Sequence, residues 1–430
     1  MGQGVLTNIM NISQQFAPPF KLVGSFFVSA MLILFISVAL LFDFDINSLH
    51  SQNTFVLSWV HLFLLGFVMM SIFASMAQLL PVVLEVEHFS IDLYYVVNPL
   101  LVLGTILIFL GFYKYPMILS YGGVIVFISF FIFLFESFLT IKKVKKLNFL
   151  SSTVLVANIF LLFGLIVAII LSFAYSGNLQ LNIKALMLSH IYLVFVGYLG
   201  ITILSMSYIL IPMFWLSHSF NNIYLKLAFY NISIGVILVV FSQLFEFEII
   251  EYLGYFEVLL GFILFIYQLY LIFITKVRKQ KDIYYKYIVV SVVNFIAALI
   301  LVCVYFIVLN DYILVVAGFI FLLGFLTPII TAHLYKIIPF LVWFHRFAPL
   351  VGKQKVPMLA DMVPEKSSEF GFVFYIIGFV LSLIAFSLSS DIIFKSAVSF
   401  LFIGTSFIIK DVFFIINFKG YFYVHKRRNF

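Results

Sequence analysis

The sequence predicts an all-α polytopic membrane protein, and two observations carry that prediction. The first is composition: 65% of the 430 residues are hydrophobic and 10% are charged, whereas an average soluble domain is roughly half apolar and a quarter charged. The second is the length of the apolar runs, twelve of which reach the ~20 residues that a membrane helix needs. These runs do not alternate in hydrophobicity, which argues against a β-barrel. Disorder and a disulfide scaffold are excluded by the apolar content and by the single cysteine, Cys303.

The predicted spans fill the chain and leave only short connections between them. They cover about 19–42, 54–84, 92–113, 115–141, 149–175, 183–217, 223–247, 249–277, 284–310, 311–344, 368–389 and 391–417. We therefore predict one integral membrane domain over residues 1–430, in contact with the lipid bilayer. Any function must lie inside the helix bundle or at its two faces.

The placement of basic residues orients the predicted bundle. Lysine and arginine clusters follow spans 4, 8, 10 and 12, at residues 142–146, 276–281, 346–355 and 419–428. By the positive-inside rule both termini are predicted to be cytoplasmic. Residues 1–18 are polar and show no cleavable signal peptide, so we expect the first span to be a true membrane span. The favoured location, stated together with the favoured function below, is a bacterial cytoplasmic (inner) membrane. The net charge of +7 is then topological and does not predict a nucleic-acid partner.

A repeated frame occurs in three even-numbered spans. Spans 2, 6 and 10 each contain a glycine followed by an aromatic residue, an isoleucine six residues after the glycine, and a proline fifteen residues after it. The three glycine–proline pairs are Gly66 and Pro81, Gly197 and Pro212, and Gly324 and Pro339. Apolar membrane helices do favour glycine and often end in proline. A recurring frame of this kind nevertheless predicts three four-helix units, about 19–141, 149–277 and 284–417, around a pseudo-three-fold axis.

Three four-helix units with twelve spans resemble the catalytic subunit (subunit I) of the haem-copper oxidase superfamily. The segment from His61 to Phe67 is similar to the oxidase helix that carries a low-spin haem ligand. The segment from Ser189 to Phe214 resembles the sixth helix of oxidase-like and NnrS-type (nitric-oxide-response) membrane proteins. The segment from Ala332 to Trp343 resembles uncharacterised members of the same group. The resemblance implies haem b or copper as cofactor and a redox partner or partner membrane subunit.

The chain departs from this family where oxygen is reduced. Span 7 contains no histidine, although oxidases carry a tandem histidine pair there. In span 10 the positions equivalent to His61 and His190, counted from the repeat glycine, are Phe319 and Ala317. The position four residues after His190 is Val194, so the tyrosine found there in many oxidases is missing. We therefore expect a divergent relative without a complete oxygen-reducing binuclear centre.

His61 and His190 are the candidate cofactor ligands. They lie five and seven residues before their repeat glycines, so their depths in the membrane differ by only ~3 Å at 1.5 Å per residue. They could share one site as axial haem ligands or copper ligands, because neutral imidazole suits both. The alternative is a pair of hydrogen-bonded polar residues near the outer interface. His50 could join a metal site there or be a solvated loop residue.

His333 is predicted to belong to a second location, because it lies ~21 Å deeper than His61 by the same helical rise. His88, His218 and His345 each follow a repeat proline by six or seven residues. With His333 they could form a ring on the cytoplasmic side that holds a divalent metal or relays protons. The alternative is interfacial histidines at helix ends, with Lys336 beside His333 reaching to the headgroups. His425, in the basic tail, is expected at the surface.

Other polar residues inside the spans are expected to form interhelical hydrogen bonds: Gln78, Glu136, Asn158, Asn231, Gln243 and Asn294. For Glu136, which lies near the inner end of span 4, the alternative is a side chain that simply reaches the interface. Met69, Met70 and Met76 follow His61 and could suit copper(I), although methionine more often fills gaps in packing.

The favoured function is a haem- or copper-binding membrane protein that serves electron transfer, nitric-oxide handling or metal supply. The alternative is a cofactor-free membrane transporter or interaction protein on the same scaffold. A membrane protease or other hydrolase is not supported, because neither His-Glu-x-x-His nor Gly-x-Ser-x-Gly occurs.

Overall fold

A computed structural model describes residues 18–46, 49 and 53–420. These residues form twelve membrane-length helices and no β-strand. Their bounds are α1 Phe20–Asp43, α2 Thr54–Val82, α3 Ile91–Tyr113, α4 Pro116–Lys142, α5 Phe149–Tyr175, α6 Ile183–Trp215, α7 Ile223–Phe245, α8 Glu248–Ile274, α9 Ile283–Val308, α10 Asp311–Arg346, α11 Glu365–Leu388 and α12 Asp391–Ile416. The predicted all-α fold and its twelve spans are confirmed, and each predicted end falls within about three residues of the observed one.

Polar residues in the connections start several of these helices. Asn53, Asn148, Asp282 and Ser390 each accept a hydrogen bond from a backbone N–H in the first turn of the helix that follows. Such caps satisfy donors that have no partner within the helix. In a chain this apolar, they fix where each span begins.

The helices form two compact units. The first contains Met76–Gln280, and the second contains the described residues of Pro19–Ser75 and Lys281–Phe430. The division falls within α2. The grouping of the chain into three four-helix units stays a prediction.

A π-helical segment lies in each of the three spans that carry the repeated frame. The segments are Leu62–Met69 in α2, Ile191–Gly200 in α6 and Ile320–Leu326 in α10. Their first residues are spaced 129 residues apart in both steps. Well under 1% of residues in globular proteins are π-helical, and π-bulges are frequent at functional sites. Three such segments in one register support an internal repeat.

The repeat glycines allow close packing against the preceding helix. A Cβ atom on Gly197 would lie 2.9 Å from the ring of Phe160 in α5, and one on Gly324 would lie 2.8 Å from the Asn294 side chain in α9. A Cβ atom on Gly66 would overlap the side chain of Ile33 in α1. A glycine is therefore needed at the same place in each of the three spans.

The helix pairs α1–α2, α5–α6 and α9–α10 are each followed in the chain by a hairpin of two further helices. In the α7–α8 hairpin a Cβ atom on Gly235 would lie 2.8 Å from the carbonyl oxygen of Gly254. In the α11–α12 hairpin a Cβ atom on Gly378 would lie 2.5 Å from the backbone nitrogen of Leu401. The α3–α4 hairpin is also closed by glycines on both helices. Within the second unit, α12 also packs against α1, where the rings of Phe35 and Phe402 are 4.6 Å apart.

Candidate functional site

His61 and His190 occupy the same position relative to the π-helical segments. His61 directly precedes Leu62, and His190 directly precedes Ile191. The residue that directly precedes the third segment is Phe319. Counted from the segments, Phe319 is therefore the equivalent of both histidines, whereas counting from the glycines had matched His190 to Ala317. The two predicted ligands thus stand at equivalent points of the repeat.

Each of these rings is held through Nδ1 by a backbone carbonyl. His61 Nδ1 lies 2.7 Å from the carbonyl oxygen of Leu57 on its own helix, and His190 Nδ1 lies 3.1 Å from that of Gly164 in α5. A carbonyl oxygen only accepts hydrogen bonds, so Nδ1 must carry the proton. The lone pair of each neutral ring is then on Nε2, the arrangement usual for a metal-bound histidine.

Phe319 in the third repeat is part of an aromatic cluster instead. Its ring stacks on Phe379 at 6.2 Å and meets Phe386 and Phe394 at 4.9 and 6.1 Å. The third π-helical segment therefore begins in apolar surroundings, and only two of the three repeats offer an imidazole there.

His333 lies in the second unit and contacts residues of α9. Its Nδ1 donates to the carbonyl oxygen of Ile329 at 2.7 Å, and its ring meets Tyr284 edge-on at 5.5 Å. Lys336, one turn further, pairs with Asp282 at 2.7 Å. The lysine is thus bound by a carboxylate at the start of α9.

The structure corrects the interpretation of Glu136 as a residue that reaches the interface. Its side chain is 0% exposed, and its Oε1 atom lies 2.8 Å from His88 Nδ1. The same oxygen accepts hydrogen bonds from the Thr140 hydroxyl at 2.7 Å and the Phe89 amide at 3.1 Å. Burial in the bilayer region is tolerated because the carboxyl has an ionisable partner and several donors.

His88 uses both ring nitrogens in hydrogen bonds to protein atoms. Its Nε2 lies 2.8 Å from the carbonyl oxygen of Ala77 and must therefore be protonated. One further proton is shared between His88 Nδ1 and Glu136. His88 is thus a buried partner of a carboxylate rather than a solvated residue at a helix end.

The other two histidines of the predicted cytoplasmic metal site lie in different surroundings. His218 is exposed, and His345 lies among rings, 5.8 Å from Phe20 and 5.3 Å from Phe344. Within the described ranges, no three histidine, cysteine or acidic side chains come together as a metal-ligand set. The inner metal site stays a prediction. His50 and His425 lie outside the described residues.

Four of the five intramembrane amides divide into two groups, and the fifth, Gln78, is buried with no hydrogen-bond partner for its Oε1 atom among the described residues. Asn158 donates to Ser137 of α4 at 2.7 Å, and Gln243 donates to Glu251 of α8 at 2.7 Å, so the expectation of interhelical bonds is confirmed for both. It is wrong for Asn231 and Asn294, whose amides donate to carbonyls of their own helices. A membrane helix can satisfy a short polar side chain by itself, as these two show.

Two residues equivalent to Glu136 were not singled out from the sequence. Gln268 in α8 and Asp411 in α12 are both 0% exposed, and each lies near the end of the fourth helix of its repeat. Gln268 accepts a hydrogen bond from the Leu225 amide at 3.2 Å, and Asp411 accepts one from the Tyr335 hydroxyl at 2.8 Å. Their position in the sequence could have predicted this equivalence, because each lies five or six residues before the end of its helix.

The three polar residues share a structural role. Glu136 and Gln268 accept from backbone amides where a neighbouring helix begins, at a place where backbone donors lack partners in the helix. Asp411 lies near Ser367 in the first turn of α11, so all three residues stand beside the start of a neighbouring helix.

Comparison with models of known protein families gives no match for this chain, and comparison with curated protein sequences gives no significant match.

Proposed function

We propose that the chain is a haem- or copper-binding membrane protein of oxidase-subunit-I-like architecture, without a complete oxygen-reducing centre. The observation that carries this proposal is the register of His61 and His190, each directly before a π-helical segment. Ionisable side chains within a membrane are rare and mostly functional. Two of them at equivalent points of a repeat are best explained by a ligand role.

The chemistry of the two rings fits a cofactor. Nδ1 of each ring donates to a backbone carbonyl, which fixes the tautomer and orients Nε2 as the ligand atom. Methionines follow His61, with Met69, Met70 and Met76 all buried, so copper(I) is a second chemically reasonable occupant. A haem or copper bound by these residues would carry one electron at a time. The residues of the chain would set its orientation and exclude water.

Three roles follow for such a protein: electron transfer, nitric-oxide handling or metal supply. A redox partner or partner membrane subunit, and a location in the bacterial inner membrane with both termini cytoplasmic, belong to the same proposal. The basic clusters that follow α4, α8 and α10 support that orientation.

The test is the cofactor content of purified single variants. His61→Ala and His190→Ala are each expected to lose iron and haem, or copper, completely if the two residues share one cofactor. Loss of half in each variant would indicate two separate sites. His425→Ala, in the basic tail, is the control and should keep full content. Full occupancy in both span variants would contradict the proposal, and metal loss in His333→Ala alone would move the site to His333 in α10.

A further inference from the structure

Buried hydroxyl groups line the facing sides of α9 and α10 beside Asp411 within the second unit. Tyr287 and Ser291 lie one turn apart on α9, and Thr331 and Tyr335 lie one turn apart on α10. The rings of Tyr287 and Tyr335 stack at 6.2 Å, so these two helix faces meet. Because the helices are antiparallel neighbours in sequence, Ser291 and Thr331 form the next level of the same interface.

Three of these hydroxyls lack an internal partner. Tyr287, Ser291 and Thr331 are 0% exposed, and their oxygens have no hydrogen-bond partner among the described residues. A buried hydroxyl left without a partner is unfavourable, because it has lost its hydrogen bonds to water. Three of them on facing helices provide the several polar groups that a buried water needs.

The cluster has defined boundaries. Away from the basic end of α10 the next hydroxyl, Thr327, already donates to the carbonyl oxygen of Leu322 at 3.1 Å, and Phe295 stacks on Phe325 at 4.6 Å. On the α11 side it is closed by Phe372, whose ring meets Tyr287 at 5.0 Å, and by Tyr375. The hydroxyls therefore form a compartment that ends at the third π-helical segment.

Asp411 connects this compartment to the protein surface. One oxygen of its carboxyl accepts from Tyr335 at 2.8 Å, the other has no hydrogen-bond partner among the described residues, and the carboxyl lies near Ser367, which is only half-buried. Ser367 in turn accepts from the exposed Lys410 at 3.0 Å. A path of polar groups thus leads from solvent at the basic end of α12 to the buried acid.

We propose that Asp411 is an intramembrane proton-binding site that exchanges protons with the basic face, and that its carboxyl is hydrogen-bonded to water held by Tyr287, Ser291 and Thr331. The step is the transfer of a proton from hydronium to the Asp411 carboxylate, which leaves water and the neutral acid. It needs no oxidant or reductant. The tyrosine hydroxyls donate to and accept from the water and keep their own protons. The site does not depend on any cofactor at His61 or His190.

Few other charges face Asp411. Tyr287 and Tyr335 face it from α9 and α10, and the Lys286–Glu369 pair joins α9 to α11 nearby. Lys410 directly precedes Asp411 in the chain. Helix α1, which packs against α12, carries one basic residue, the exposed Lys21. None of the side chains facing Asp411 from α9, α10 and α11 in the described structure forms a direct ion pair with it.

The experiment is infrared difference spectroscopy of the full chain in vesicles, recorded between acidic and neutral buffer in H₂O and D₂O. The wild type should show the C=O stretch of a protonated carboxylic acid that shifts in D₂O. Asp411→Asn should lose this band, whereas Glu136→Gln, the equivalent acid of the first repeat, should keep it. Thr331→Val and Ser291→Ala should shift it, because they remove groups that hold the water.

The matched control is Ser382→Ala, since Ser382 is buried in the same unit but its hydroxyl already donates to Gly378. If Asp411→Asn fails to fold, Asp411→Glu keeps an acid and should move the band. The proposal is overturned if removal or lengthening of the Asp411 side chain leaves the spectrum unchanged. It is also overturned if Thr331→Val and Ser291→Ala shift the band no more than Ser382→Ala does.

Discussion

Glu136 in the first unit and Asp411 in the second lie at equivalent positions, yet their surroundings differ. His88, Thr140 and the Phe89 amide all bond one oxygen of Glu136, whereas its other oxygen has no hydrogen-bond partner among the described residues. Asp411 is met by Tyr335 and lies beside hydroxyls that lack partners. The fold thus requires a buried polar side chain at this place, while the neighbouring residues decide whether it is an ion pair or an exchangeable acid.

Gln268, the third member of the set, shows what happens when no such neighbour is provided. It bonds the Leu225 amide and carries no charge. An amide can accept the same backbone hydrogen bond as a carboxylate without the penalty of burying an ion, which amounts to several kcal/mol. A glutamine at this position therefore needs fewer hydrogen-bonding or charged partners than a carboxylate does.

The largest effect is expected from Gln268→Glu, which would place a carboxylate at the position that has no cationic partner. We expect a loss of several kcal/mol, because the desolvation of an unpaired ion is not compensated. The measurement is thermal unfolding in detergent, with Gln268→Met as a neutral control of similar volume. Wild-type stability in Gln268→Glu would show that the fold does not discriminate charge here.

The ion pair of the first unit can be broken from one side. Glu136→Leu should destabilise the protein by about 3–5 kcal/mol, because His88 is left buried without its partner. The double variant His88→Phe/Glu136→Leu should recover much of that loss, since both polar groups are replaced by apolar ones. Equal losses in the single and double variants would mean that packing, and not the pairing, holds this region.

A smaller effect is expected at Tyr375, which completes the third π-helical segment. Its hydroxyl donates to the carbonyl oxygen of Leu323 at 2.7 Å. In the i to i+5 pattern that carbonyl would be bonded by residue 328, which is a proline without an N–H. Tyr375→Phe should therefore cost about 1–3 kcal/mol, measured by unfolding. Tyr270→Phe, at a 54% exposed position, should cost nothing measurable, and equal effects at both sites would refute the role.

The smallest effect is expected at the Lys286–Glu369 pair. Both side chains are about one-third exposed, and such pairs contribute about 0–1 kcal/mol. Lys286→Met should change the unfolding temperature little and leave the acid band of Asp411 in place. A large change in either would show that this pair is coupled to the cluster.

The sequence predicted the helices, because apolar length is a local property, and the spacing of Gly66, Gly197 and Gly324 located the three spans that carry the π-helical segments. It also contained an unused signal for the π-helical segments: the run Phe-Leu-Leu-Gly-Phe occurs at both 63–67 and 321–325. The pairing of Glu136 with His88 could not be predicted from the sequence, because the two residues are 48 positions apart in the chain. The equivalence of Glu136, Gln268 and Asp411 was hidden because the three residues differ chemically.

The central claim is that His61 and His190 bind a redox cofactor, and its most direct test is the absorption spectrum of the purified wild-type protein, oxidised and dithionite-reduced, with metal analysis of the same sample. We predict either the reduced α-band of a haem b with two histidine ligands or bound copper without a Soret band. A folded, monodisperse protein without colour, iron or copper would contradict the claim. That result would favour a cofactor-free transporter or interaction protein on the same scaffold.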